Sequence, residues 1–461
     1  MRYLFILAAL FLASSAFAQQ PTRPPNIVFI LADDLGWTDV GCMGTKYYET
    51  PNIDKLAARG LKHMSWYHSQ NCTPTRAAIM TGQYAPRTGV YTVGSLERGD
   101  PKDRKLNVPT NVTQPPIDRV LLPQVMKDAG YATAIFGKWH LGEMGKYHPS
   151  KRGFDDAIVS MGKHFDFNTN PKVPVPAGAY LADFLTDHAE KFIDKNKDRP
   201  FFLYLSHFGV HTPLQAKKEL IEKYQKKPGV DGHNDPVYAA MIESVDQSVG
   251  RIVAKLEALK LTENTIVIFA SDNGGVGGYM AAGINARSIT SNRPLRAGKG
   301  TLYEGGLRVP FIVAWPGHIP PGRSTDVPGV HVDLLPTFVE LTGKKVLPKH
   351  TLDGVSLAKL WKNPDTKIDR DAIYFHFPGY LEAGKGAKAA WRTTPCGMMR
   401  SGDFTLLEYF EDGRLELYNV KDDIGQTKNL ARTMPDRTRE LHQKMIDWRR
   451  NIGAHMPTLK R

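Results

Sequence analysis

Four apolar runs punctuate the chain, and each ends in polar groups. Residues 26–32 lead into Asp33-Asp34, and residues 131–136 into Gly137-Lys138-Trp139-His140. Residues 201–205 lead into Ser206-His207 and then His211-Thr212-Pro213, and residues 265–270 into Ser271-Asp272-Asn273-Gly274-Gly275. Continuous runs of this length suit parallel strands buried on both faces. Helical patterns fall between them, over residues 52–60, 122–130, 180–196 and 236–259. The alternation predicts an α/β fold, a large doubly wound mixed sheet flanked by helices. Ligands of such sheets gather beyond the carboxyl ends of the strands. That is where the aspartates, the Lys-x-His, the histidines and the Asp-Asn pair converge.

A further strand over residues 308–315 and the segment 332–343 close this domain, which is expected to span 24–345. Residues 344–350 read as a polar, proline-containing linker. Short β-like stretches at 373–377, 397–400, 404–409 and 415–419 precede a charged helix over 435–451. They predict a smaller C-terminal α+β domain over 346–461. Residues 94–116, polar and proline-rich, predict a long surface loop.

The N-terminus has another purpose. Arg2 leads an apolar stretch, and Ala16-Phe17-Ala18 forms an A-x-A cleavage site before Gln19, so residues 1–18 read as a secretory signal. The stretch is too short to span a membrane comfortably, and no cysteine follows the cut to carry a lipid. The expectation is a periplasmic or secreted protein without a membrane anchor. Its net charge of +13 suits acidic polymers or small anions, and no compact nucleic-acid motif is visible. Three cysteines, Cys42, Cys72 and Cys396, leave one over in any pairing.

Residues 72–82, Cys-Thr-Pro-Thr-Arg-Ala-Ala-Ile-Met-Thr-Gly, predict a short helix with proline in its first turn and glycine at its stop. Cys72 would then sit at a helix N-terminus with Arg76 one turn on, a place that attracts anions and lowers a thiol pKa. A buried core cysteine fits the run equally well. Asp33, Asp34, Asp272 and Asn273 offer an all-oxygen set for a hard cation such as Ca²⁺ or Mg²⁺. Lys138 and His140, two apart, would face the same side of an extended segment. His211, in a loop after a strand, is well placed as an acid. Lys299 lies in a glycine-flanked loop. Together with Arg76 these groups describe an anion pocket.

The Cys72 run and the stretch Gly130-Tyr-Ala-Thr-Ala-Ile-Phe-Gly-Lys-Trp-His-Leu-Gly142 resemble the two signatures of type I sulfatases, members of the alkaline phosphatase superfamily. Thr75 departs from the commoner serine or alanine. The resemblance implies that a maturation enzyme oxidises Cys72 to Cα-formylglycine during export. The hydrated aldehyde would attack sulfur and then expel sulfate through its second hydroxyl. It further implies one Ca²⁺ held by Asp33, Asp34, Asp272, Asn273 and residue 72. Arg76 would stabilise the diol, and Lys138 and Lys299 would hold sulfate oxygens. His211 would protonate the leaving alcohol, and His140 would take the proton from the second hydroxyl.

Two rival readings remain at this stage. One is a formylglycine-dependent phosphodiester or phosphonate monoester hydrolase; the other is a non-catalytic binder of sulfated glycans. The expected substrate is a sulfated polysaccharide or oligosaccharide, a carrageenan-like galactan or a glycosaminoglycan. Candidates for sugar contacts are His164, His207, His376, Trp391, Arg392 and Arg400.

Overall fold

The computed structural model describes residues 23–142, 144–285, 287–344, 350–385 and 387–460. The expected signal, its cut after Ala18 and residues 345–349 of the expected linker lie outside the described residues. Nine strands build the main sheet: β1 (Asn26–Ala32), β2 (Leu61–Tyr67), β3 (Ala132–Gly137), β4 (Asp156–Val159), β5 (Phe201–Ser206), β6 (Thr265–Ser271), β7 (Arg308–Ala314), β8 (Arg323–Thr325) and β9 (Gly329–Val330). Their order is β9-β2-β7-β6-β1-β5-β3-β4, with β8 also pairing β2. The four strands named by the apolar runs lie together as β6-β1-β5-β3 and are mutually parallel. β7 runs antiparallel to both β6 and β2, which makes the sheet mixed.

Every residue of β1 is fully buried. A strand covered on both faces has no polar side to alternate with, hence its unbroken apolar run. Its one polar member, Asn26, clips the strand starts: its Nδ2 donates to Thr265 Oγ1 at 3.1 Å, and its Oδ1 accepts from the Phe201 amide at 3.3 Å. Val28 and Ile30 pack one way, against helices α1 (Pro51–Ala58), Leu181–Asn196 and Pro236–Ala258. Ile27, Phe29 and Leu31 pack the other way, against α2 (Cys72–Thr81), Leu122–Asp128 and Leu334–Thr342. The two covered faces are those of a doubly wound fold.

β2 escaped the sequence reading because Lys62, His63 and Ser65 interrupt its apolar pattern. His63 is nevertheless fully buried, its Nε2 accepting the Trp361 indole N–H at 3.1 Å. The loop over 94–116 contains a two-residue strand, Leu106–Asn107, paired antiparallel with Thr458–Leu459 near the chain's end.

The second sheet comprises β10 (Ile373–Phe377), β11 (Cys396–Ser401), β12 (Phe404–Tyr409) and β13 (Leu415–Asn419), antiparallel in chain order. Helix Pro435–Ile452 covers one face through Leu441 and Met445. The other face packs on Tyr67, Ala78, Leu307 and Val330, so this sheet backs α2. All three cysteines are free thiols.

Candidate active site

The carboxyl ends of β1, β3, β5 and β6 meet the start of α2 in one buried polar cluster. Asp33 and Asp34 follow β1, and Asp272 and Asn273 close on β6. Two tight approaches let these ends meet. A Cβ on Gly137 would lie 1.9 Å from the Ser206 carbonyl oxygen, and one on Gly274 would lie 1.9 Å from that of Gly305. Asp34 takes a left-handed φ of 66°, which costs about 1 kcal/mol or more for a residue with a side chain. Its backbone is held there, the N–H donating to Asp272 Oδ1 at 3.2 Å and the carbonyl accepting from the Tyr238 hydroxyl at 3.2 Å.

Each carboxylate faces a cation. Lys138 Nζ lies 2.5 Å from Asp33 Oδ2, and Lys299 Nζ lies 2.5 Å from Asp34 Oδ1. Arg76 reaches Asp272 Oδ2 through Nε at 3.1 Å and Nη2 at 2.8 Å. Its Nη1 donates to the Lys138 carbonyl at 2.8 Å, to Ser206 Oγ at 2.5 Å and to Tyr204 Oη at 3.4 Å. Burial alone would raise the pKa of Asp33, but Lys138, His211, Arg76 and Lys299 together hold it below the usual carboxylate range. Asp34 is lowered in the same way: its burial, the largest single effect, is outweighed by Lys299, His211 and Lys138 acting together. Asp272 goes the other way, up to about 7, because burial and the neighbouring Asp33 charge exceed what Arg76 supplies.

Cys72 opens α2, 2% exposed, and the whole helix is buried. The left-handed Gly82, at φ 64°, ends it. The expected lowering of its thiol pKa is not found: burial raises it, and Lys138 and Lys299 do not offset this. Desolvation at this depth exceeds what the helix start and two cations return. The unmodified thiol is therefore a poor nucleophile.

Two histidines border the cluster. His140 has φ 60°, and burial, with the Lys138 and Arg76 charges, pushes its pKa down to about 2. It is thus held neutral. His211 has a side chain 27% exposed, with Nε2 3.7 Å from Asp34 Oδ2. Its Nδ1 lies 2.7 Å from the Thr212 carbonyl oxygen. His164 is buried behind it, its Nε2–H donating to the His211 carbonyl at 2.8 Å.

The donor set fits a hard cation. Asp33 Oδ1 and Asn273 Oδ1 are buried and have no hydrogen-bond partner among the described residues. Buried acceptors left unpaired are costly, so these two call for a ligand. Ligand atoms of Asp33, Cys72 and Asp272 lie within 4.8 Å of one another, as do those of Asp33, Asp34 and His211.

A sulfatase family model matches residues 25–344, and a model described as N-sulphoglucosamine sulphohydrolase, C-terminal, matches residues 297–451. The chain belongs to the sulfatase family. It is a sulfuric ester hydrolase with an alkaline phosphatase-like fold. The sulfatase is 35% identical to a "Sulfatase" of Formosa agariphila over 95% of its own length and 90% of that protein's. It is 34% identical to the human N-acetylgalactosamine-6-sulfatase, covering 80% of this chain and 71% of the relative. Among solved structures, Ps i-CgsB in complex with k-i-k-neocarrahexaose superposes with a TM-score of 0.76 at 30% identity, over 92% of this chain and 93% of that one. The family typically uses Ca²⁺ and formylglycine, and the buried Asp33, Cys72 and Asp272 group of this sulfatase suits both.

The six candidate sugar contacts separate. Trp391 and Arg392 line a cavity of about 800 Å³ that also includes Lys299. Trp391 is partly committed to packing, tilted against Tyr380 at 4.6 Å between centroids and closed over Gly99. His207 is fully buried, bonded through Nε2 to Ser248 Oγ at 2.9 Å. His376 bonds the His455 carbonyl at 2.9 Å and packs on Tyr91 and Phe410 in the second sheet. Arg400 is buried against Tyr67, donating to its hydroxyl. These three are not brought to the cluster. Sequence reasoning missed Tyr204, Ser206, Tyr238 and Asp39, whose Oδ2 accepts from Tyr238 at 2.8 Å. Ser206 and Asp39 had position as their signal, at or beyond a strand end next to a motif, whereas Tyr204 inside β5 and Tyr238 in helix Pro236–Ala258 had none.

Proposed function

We propose that this sulfatase is exported and removes sulfate from a sulfated polysaccharide or its oligosaccharides, a carrageenan-like galactan or a glycosaminoglycan. The supporting observation is the cavity beside Lys299, which is of saccharide size and has Lys299, Lys388 and Arg392 but no acidic residue among its described lining. The names of the relatives point the same way: one structure holds a neocarrahexaose, and another protein is named for an N-acetylgalactosamine sulfate.

Charge counting explains why the site would take an anion. Asp33, Asp34 and Asp272 are balanced by Lys138, Lys299 and Arg76. A divalent cation held by Asp33, Asp34, Asp272, Asn273 and residue 72 leaves the pocket positive. Bound there, Ca²⁺ would neutralise the carboxylates and polarise a sulfate oxygen. Lys138 and Lys299 would hold sulfate oxygens through their ammonium groups. Residue 72, once converted to formylglycine hydrate, would offer the attacking hydroxyl from the buried start of α2. His211, at the open side, protonates the departing sugar hydroxyl. Neutral His140 accepts the proton when sulfate is expelled. Arg76 fixes Asp272 and the Lys138 backbone and thereby holds this geometry.

A panel of defined sulfated oligosaccharides, with products mapped by mass spectrometry, tests the substrate; loss of sulfate from no member of either glycan class sinks the reading. The tryptic peptide containing residue 72 should show sulfur replaced by oxygen in the same run. The N-terminal sequence of the mature protein should start at Gln19. The rival phosphonate monoester hydrolase reading shares the fold with a solved structure of that name, at 17% identity and a TM-score of 0.68. Turnover of nitrophenyl sulfate above that of a nitrophenyl phosphodiester is expected.

A further inference from the structure

The cavity beside Lys299 is built from two segments. One is the loop over residues 277–283, and the other is a ribbon pairing Leu381–Glu382 with Trp391–Thr393. The segments touch: the Gly384 amide donates to the Ala282 carbonyl at 2.8 Å, and a Cβ on Gly384 would lie 1.8 Å from the Gly283 oxygen. The ribbon is anchored on the other side by Thr393 Oγ1, which donates to the Gly300 carbonyl.

This anchoring sets Arg392 next to the catalytic lysine. Gly300 follows Lys299 directly, and a Cβ on it would lie 2.9 Å from the Arg392 Cζ. The Arg392 guanidinium stands 5.2 Å over the Tyr279 ring. Tyr279 is within the electrostatic reach of both Lys299 and Arg392, and its hydroxyl also engages the Arg392 side chain. The two cations differ in one respect. Lys299 has Asp34 at 2.5 Å, whereas Arg392 has no carboxylate in ion-pair reach among the described residues, and its Nε is buried without a partner. Another large cavity, about 710 Å³ along β4, contrasts with this. Its lysines share the wall with Asp155 and Asp156, and Lys195 already pairs with Asp156 at 3.3 Å.

A half-buried guanidinium without a counterion, on the wall of a solute-sized cavity, is arranged for an anion from outside. Its planar fork matches a carboxylate or a sulfate. We infer that Arg392 is a specificity residue that binds a second anionic group of the substrate, a sulfate or a uronate carboxylate, on the same sugar as the scissile sulfate or on the next one. Lys388, on the same wall, adds to the field. The inference rests on the carbohydrate reading above and narrows it to saccharides carrying more than one negative charge near the cleaved ester.

The test compares wild type, Arg392→Ala and Arg392→Lys on three probes. The first is nitrophenyl sulfate, which reports the sulfate pocket alone. The second is a pair of galactan oligosaccharides differing by one sulfate. The third is a sulfated uronate-containing disaccharide beside its carboxyl-reduced form. Wild type should prefer the more charged member of at least one pair. Arg392→Ala should lose about 10- to 100-fold in kcat/KM on that member, chiefly through KM, as expected for losing a charge-assisted hydrogen-bonding partner. It should keep nitrophenyl sulfate turnover, and Arg392→Lys should recover part of the loss. The pair that responds identifies the anion. Saccharide cleavage by wild type with no charge preference overturns the inference. So does a preference that survives in Arg392→Ala, or an equal loss on nitrophenyl sulfate. If wild type turns over nitrophenyl sulfate but desulfates no saccharide, the carbohydrate reading itself has failed, and this inference with it.

Discussion

Arg76 makes five hydrogen bonds, all beyond its own helix, and two of them end on Asp272. Arg76→Ala would leave Asp272 buried beside Asp33 without its cation. A loss of about 3–5 kcal/mol is expected, read from urea unfolding. Tyr204→Phe, which removes a 3.4 Å contact to the same guanidinium and a contact to Ser206, should cost about 1 kcal/mol. Cys72→Ala separates chemistry from stability: turnover of nitrophenyl sulfate should vanish while the unfolding transition stays close to that of wild type. Full activity in that variant would refute the assigned nucleophile. At this scale the sequence named Arg76 and Cys72 but not what they touch. Ser206 and Tyr204 lie within an apolar strand, where a lone hydroxyl predicts no partner.

Helix α1 shows the same limit one level up. Residues 52–60 read as helical from periodicity, yet nothing nearby caps the helix by a side-chain bond. The cap comes from Asp246, in helix Pro236–Ala258. Its Oδ1 accepts the Asn52 and Ile53 amides at 2.9 and 2.8 Å, and its Oδ2 accepts Asn52 Nδ2 at 2.7 Å. A bond across that sequence distance leaves no local signature. Burial raises Asp246 from 3.8 to about 6, its hydrogen bonds only partly opposing this. The folded state therefore holds this proton more tightly than the unfolded one. The contribution to stability is complete below about 3.8 and is lost as pH rises through about 6, a change of about 3 kcal/mol. Asp246→Asn has no such titration. The stability of wild type relative to Asp246→Asn should fall by about that amount across the window, and a flat difference would refute the assignment. Element positions were legible because apolar periodicity is local. β2 and β4 were not, since a strand can alternate or break its pattern when its polar side chains find buried partners.

Over the whole molecule, the second sheet is tied to the first through Tyr67. Its hydroxyl donates to Glu304 Oε2 at 2.9 Å and accepts from Arg308 Nη2 at 2.9 Å and from Arg400. Arg400→Ala should lower stability by about 2 kcal/mol and leave KM for every sulfated substrate unchanged. The presence of two layers on a doubly wound sheet, and of a smaller domain after it, was readable from the order of the elements. The seam between the domains was not, because Arg400 read as a candidate sugar contact and Glu304 carried no signal until the fold joined them at Tyr67. A bound cation should also act on the whole fold. With Ca²⁺ at about 100 times its dissociation constant, stability should rise by about 2.7 kcal/mol, and a chelator should lower the melting midpoint. Asp33→Asn should blunt both responses.

The depth of Cys72 has a consequence for timing. At 2% exposed, at the head of a helix whose every residue is buried, it offers a folded surface nothing to grip. An enzyme that rewrites this side chain has to meet residues 72–82 as an open peptide. If Cys72 is converted as proposed, modification and folding would compete for the same segment, and a chain that folded first would keep its sulfur. The fraction of active molecules in a preparation would be a record of how that race ended, chain by chain.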